Sequence, residues 1–164
     1  MNYSKGILLV LLGISIFLFH SCGKEEALSP IPEIVFLGFS KDTMHQSFFN
    51  EDTVQMALSF IDGDGDLNNF EENKGAKIII TDLRTNALYD RFLLPDIPNN
   101  KGAVSGEMFI RLFTTCCVFP DNIPPCDIDD RYPANELTLL VILQDGKGNN
   151  SNSITTPPIT LLCN

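Results

Sequence analysis

The chain has 164 residues, with 21 acidic against 11 basic side chains and a net charge of −10 at pH 7. So large an excess of negative charge repels phosphate backbones and suits cations, which excludes nucleic acid as a partner.

In chain order the first element is a leader. Residues 1–5 carry one lysine, residues 6–19 (GILLVLLGISIFLF) form a charge-free run of 14, and His20 and Ser21 precede Cys22. A run of this length suits a secretory signal and falls short of the about 20 residues that span a bilayer. Ending at a cysteine after a small residue, it resembles the lipobox of bacterial lipoproteins, with Phe19 and His20 replacing the usual leucine and small residue. With Gly23-Lys24-Glu25-Glu26 following, it is similar to Bacteroidetes lipoproteins, in which such a charged stretch accompanies export to the cell surface. The resemblance covers residues 1–26. It implies cleavage after Ser21, acylation of Cys22 (palmitate among the chains), and a place on the outer membrane, exposed to the outside. Two or three acyl chains anchor stably where one does not. Ordinary cleavage and release, with Cys22 a bystander, is the competing reading.

Removal of residues 1–21 deletes Lys5 and no acid, so the mature charge becomes −11 on 143 residues, one domain of ordinary size. Residues 22–32 read as a lipidated cysteine followed by a flexible, proline-bearing tether, and residues 33–164 as the folded domain.

From residue 32 onward the pattern is β. Residues 34–39 (IVFLGF) predict a first strand. Val54, Met56, Leu58 and Phe60 alternate with Gln55, Ala57 and Ser59, the period of a half-buried strand. Residues 77–83, 88–94 and 104–112 predict three more. Residues 137–143 (LTLLVIL), apolar on both faces, predict a central strand or one covered partly by a neighbouring protein. Residues 152–163 predict a seventh, at an edge or bulged because of Pro157-Pro158. Seven strands without a long amphipathic helical stretch predict an all-β fold, an immunoglobulin-like β-sandwich first and a jelly roll second. With no tryptophan in the chain, the buried tryptophan of antibody domains is absent. Residues 114–135 read as a long loop.

After the anchor four cysteines remain: Cys116, Cys117, Cys126 and Cys163. An exported chain meets oxidising conditions, so disulfides are expected. Zinc competes weakly, since the adjacent pair lacks the two-residue gap of a knuckle and only His45 is at hand. Joining sequence neighbours is strained, so Cys126 and Cys163 should each take one of Cys116 and Cys117, in either order.

Two segments carry a second resemblance. Residues 60–67 (FIDGDGDL) and 143–152 (LQDGKGNNSN) resemble paired hallmarks of the same lipoproteins, and the latter also resembles the Asp-x-x-Gly-Asn turn of bacterial immunoglobulin-like domains. The resemblance, over residues 33–164, speaks to lineage and fold and names no activity.

Asp62, Asp64 and Asp66, separated by glycines, are candidate calcium ligands, because calcium takes roughly six to eight oxygens. The EF-hand pattern fails, with Leu67 where its glycine belongs and Asn73 where its glutamate belongs. In an immunoglobulin-like topology the loops after the second and sixth predicted strands share one end, bringing Asp145, Asn149 and Asn150 toward the three aspartates. The competing reading is a pair of solvated turns, in which Asp and Asn bond their own backbone.

Catalytic constellations are scarce. His45 is the only histidine beyond the leader, and no Gly-x-Ser-x-Gly, His-Glu-x-x-His or phosphate-binding glycine loop occurs. Paired carboxylates of glycoside hydrolases remain as the one enzymatic alternative. The expectation is a non-catalytic binding or adhesion module for glycan or an envelope protein, or an accessory subunit of an outer-membrane complex. Exposed Leu140, Ile142 or Phe109 would favour the latter. Phe48 and Phe49 are expected to pack in the core or at the fold's edge.

Overall fold

A computed structural model describes residues 28–67, 75–95, 97 and 102–164; the leader, Cys22 and the first part of the tether lie outside them. The described residues form ten strands and no helix. These are β1 (Glu33–Phe39), β2 (Thr43–His45), β3 (Thr53–Asp62), β4 (Lys77–Asp82), β5 (Ala87–Leu93), β6 (Val104–Phe113), β7 (Ala134–Leu137), β8 (Leu139–Gln144), β9 (Ile154–Thr155) and β10 (Ile159–Leu162). They pair as three sheets, β1-β3-β6, β5-β4-β8-β9 and β2-β10-β7. All pairings are antiparallel except β2 with β10.

The seven predicted strands are present, and the count of ten corrects seven for local reasons. The sixth divides at Thr138 into β7 and β8, which serve different sheets, and the seventh divides at Pro157-Pro158 into β9 and β10. A proline has no N–H to donate to a ladder, so the strand changes sheet there. Strand β2, three residues in a polar stretch, is not among the predicted strands, and Ala134 and Asn135 at the start of β7 fall in the predicted long loop.

Period-2 alternation builds the core. Val54, Met56, Leu58 and Phe60 of β3, Ile78 and Ile80 of β4, and Leu139, Val141 and Leu143 of β8 are all buried. Met44, Leu137, Ile159, Leu161 and Cys163 extend the core beneath the third sheet. Strand β1 is bulged between Phe36 and Gly38, and Gly38 (φ 155°) supplies the backbone angle. The Asn152 amide joins β1 to the β8–β9 connection, accepting from Ile34 N at 2.9 Å and donating to Ile34 O at 2.9 Å. A side-chain amide thus reproduces both hydrogen bonds of a strand pair.

The disulfides join Cys116 to Cys126 and Cys117 to Cys163, resolving the open pairing. Closing loops of 10 and 46 residues, they stabilise by about 3 and 4 kcal/mol on chain-entropy grounds. The Gln46 side chain braces the backbone on both sides of the Cys117–Cys163 disulfide, donating to Cys163 O at 2.7 Å and accepting from Cys117 N at 3.0 Å.

Candidate metal centre

The alternation that fills the core does not stop at apolar residues. On β3 the buried row Val54-Met56-Leu58-Phe60 continues to Asp62, and beyond β8 the row Leu139-Val141-Leu143 continues to Asp145. Both carboxylates are therefore carried inside at one end of the fold. A third, Asp82, continues the β4 row Ile78-Ile80 at the opposite end of that strand.

The fold treats these buried acids differently. Asp82 is answered by Arg84, whose Nε lies 3.1 Å from each carboxylate oxygen and whose second guanidinium nitrogen lies 2.7 Å from Oδ2. Arg84 also donates to Asn135 Oδ1 at 2.9 Å. Among the described residues Asp62 receives only the backbone N–H of Asp66, at 3.0 Å on Oδ2.

Residues 63–66 form a tight loop held at both sides by buried Asp62 and Leu67. Gly63 donates to Ser29 O at 2.9 Å, so residues 28–29, read as tether, lie directly against the loop. A Cβ at Gly63 would sit 2.3 Å from Ser29 O and 2.6 Å from the Leu28 carbonyl, so only glycine fits. The loop turns the Asp62, Asp64 and Asp66 carboxylates toward each other, with one oxygen from each lying within 4.8 Å of the others. Asp62 Oδ1, Asp64 Oδ1 and both Asp66 oxygens are buried without a hydrogen-bond partner among the described residues. Lys147, from the β8–β9 loop, donates to Asp64 Oδ2 at 2.6 Å and stands 3.3 Å from Asp66 Oδ2 as an ion pair.

Electrostatics reflect this crowding. Burial, then the charges of Asp66 and Asp64, push the Asp62 carboxyl up to about 6. Burial, then the charges of Asp145 and Asp64, also raise Asp66. The Lys147 hydrogen bond lowers Asp64, and the same contacts raise Lys147. Three carboxylates sharing one partly exposed ammonium leave the loop with excess negative charge, and the group can hold a metal ion.

The β8–β9 loop does reach this end of the fold, with Gly146 donating to Asp66 O at 3.1 Å. Its polar groups nevertheless serve their own turn. Asp145 Oδ1 accepts from Lys147 N at 2.9 Å and Asn149 N at 2.7 Å, and Oδ2 accepts from Asn149 Nδ2 at 2.7 Å. Gly148 closes the turn with φ of 94°. The structure thus gathers Asp62, Asp64 and Asp66 and leaves Asp145 and Asn149 bonded to each other in the adjoining turn. Asn150 bonds Gln144 instead.

Sequence reading missed Lys147, because its contact spans 83 positions, and it missed the Asp82–Arg84 pair. The signal for the buried acids lay in extending each alternating row by two residues. His45 is exposed on β2, 3.8 Å from Asp52 Oδ2. A cleft of about 550 Å³ near the disulfides is lined by Tyr89, Phe113 and Phe119 and backed by the Asp82–Arg84 pair. Leu140 and Ile142 are half-buried, whereas Phe109 is exposed. Phe48 and Phe49 are 67% and 81% exposed, correcting the expectation that they pack, since they lie in the loop between β2 and β3 and on no sheet face.

No protein-family model matches the chain, and neither a curated protein nor a solved structure matches it. The site stands on its geometry.

Proposed function

We propose that the chain is a lipid-anchored, non-catalytic binding module of the cell envelope whose folded end holds calcium in the Asp62-Asp64-Asp66 loop. The observation that carries the calcium reading is the set of buried carboxylate oxygens without hydrogen-bond partners among the described residues. Buried charge without a partner is costly, and a divalent cation removes that cost through oxygen ligands alone.

The immunoglobulin-like reading is supported by strand order. The sheet β9-β8-β4-β5 follows the G-F-C-C′ order of such sandwiches, and β1-β3-β6 follows A-B-E. The acidic loop then occupies the B–C position and the Asp145 turn the F–G position.

The anchor reading gives this arrangement a direction. Cys22 precedes Leu28 by six residues, a span of at most roughly 20 Å when extended. Residues 28–29 lie against the acidic loop, so an acylated Cys22 places the cation end toward the membrane. Strand β1 then carries the chain away from it and β3 returns, so that Phe48 and Phe49, which precede β3, stand exposed at the far end. That distal tip, tied to the disulfide-bearing loop by the Gln46–Asp127 hydrogen bond of 3.1 Å, is the surface offered to a glycan or an envelope protein.

Melting curves of the full chain across a calcium titration test the cation reading. Millimolar calcium raises the melting temperature, and Asp64→Ala abolishes the rise; an unchanged curve for the unaltered chain overturns it. The mass of the N-terminal peptide from envelope-derived protein tests the anchor, which predicts an acylated Cys22 start.

A second reading, an accessory subunit docked through a sheet face, is favoured by Val35 and Leu37 of β1 and Phe109 of β6. All three are about half exposed, and Phe109 lies in register with Ala57 on the intervening strand. Loss of a crosslinked envelope partner on Phe109→Ser selects that reading.

A further inference from the structure

We propose that Lys147 is the resident cation of the acidic loop, so that loading the site exchanges its ammonium for a divalent ion; this rests on the calcium reading above. Four observations support it. First, among the described residues Lys147 Nζ pairs with Asp64 Oδ2 at 2.6 Å and Asp66 Oδ2 at 3.3 Å. Asp62 Oδ1, Asp64 Oδ1 and Asp66 Oδ1 are buried and face no donor among the described residues. A single positive charge therefore covers three carboxylates, and a doubly charged ion seated among the inner oxygens compensates them better.

Second, Asp62 is fully buried with Oδ1 unpartnered among the described residues, and its carboxylate contributes to the group whose oxygens converge within 4.8 Å. Third, the backbone beneath Lys147 is fixed independently of its side chain. Lys147 N donates to Asp145 Oδ1 at 2.9 Å, and Gly146 N donates to Asp66 O at 3.1 Å. Fourth, the Lys147 side chain is 63% exposed, so its flexible stem can swing into solvent without unpacking the fold. Exchange thus requires one side chain to leave and no strand to move. The consequence is selectivity: a monovalent ion offers no more charge than the ammonium it would displace, whereas calcium or another divalent ion does.

The test is isothermal titration of the full chain with calcium chloride at fixed ionic strength, comparing the unaltered protein with Lys147→Met and Lys147→Arg. The Met variant binds about five-fold or more tightly, as expected when a competing ion pair is removed. The Arg variant binds no more tightly than the unaltered chain. A second measurement follows acylation of Lys147 by mass spectrometry, and its labelling rises when calcium is added. Binding by the Met variant alone overturns the exchange, since the ammonium is then not displaced in the unaltered chain. If calcium binds the unaltered and Met chains equally and Lys147 labelling is unmoved, the exchange is wrong while the site stands. If neither chain binds calcium, the site itself is wrong.

Discussion

Asp62 occupies a position where strand alternation would place another core aliphatic. Its carboxyl is held near 6, above the ordinary carboxylate value of 3.8, so the folded protein binds this proton more tightly than the unfolded chain does. The metal-free protein therefore keeps this contribution below about pH 4 and loses it as pH rises through about 6, a change of order 2 kcal/mol. Chemical denaturation in chelator between pH 4 and 7 should show that decline. Asp62→Asn should flatten it and raise metal-free stability at pH 7, because the amide oxygen still accepts from Asp66 N while the buried charge is gone. A decline that persists unchanged in Asp62→Asn would assign it to other groups. The spacing of Asp62, Asp64 and Asp66 was legible as a candidate cation loop, whereas the burial of Asp62 and Asp145 was not read, although extending each alternating row by two residues points to it. The division of labour was not. Asp145 has the carboxylate chemistry of the triad and Asn149 an amide oxygen, yet in the folded chain they bond each other across the turn that Gly148 closes.

At the scale of elements, strands with strong alternation were legible and short ones were not. Strand β2 exists because its backbone fills the open side of β10, pairing Thr43 with Thr160 and Leu162 with His45. Such pairing is tertiary and leaves no period in three residues. The same holds for the docking of residues 28–29 on Gly63, a contact between segments read as tether and turn. Gly63→Ala should expel that segment, because the new methyl would overlap the Ser29 carbonyl. Hydrogen exchange should then speed up at Gly63, the loop amide whose acceptor is Ser29 O, while the β3–β6 ladder stays protected. Unaltered protection at Gly63 would show that the close approach is relieved without undocking.

Across the whole molecule the two ends are built by different chemistry. At one, two disulfides, the Gln46 bridge and the Asp82–Arg84 pair satisfy their polar groups and hold exposed Phe48 and Phe49 forward. At the other, buried Asp62 and the partly exposed Asp64 and Asp66 face each other, with Lys147 bridging the latter two. The core between the ends is apolar, so it accounts for stability and leaves cation chemistry to the acidic end. A crystal structure of the full chain grown in millimolar calcium measures this directly. The account predicts one ion at about 2.3–2.6 Å from oxygens of Asp62, Asp64 and Asp66, with Lys147 turned out to solvent. Lys147 still bridging Asp64 and Asp66 at saturating calcium, with no ion among the three carboxylates, would contradict it.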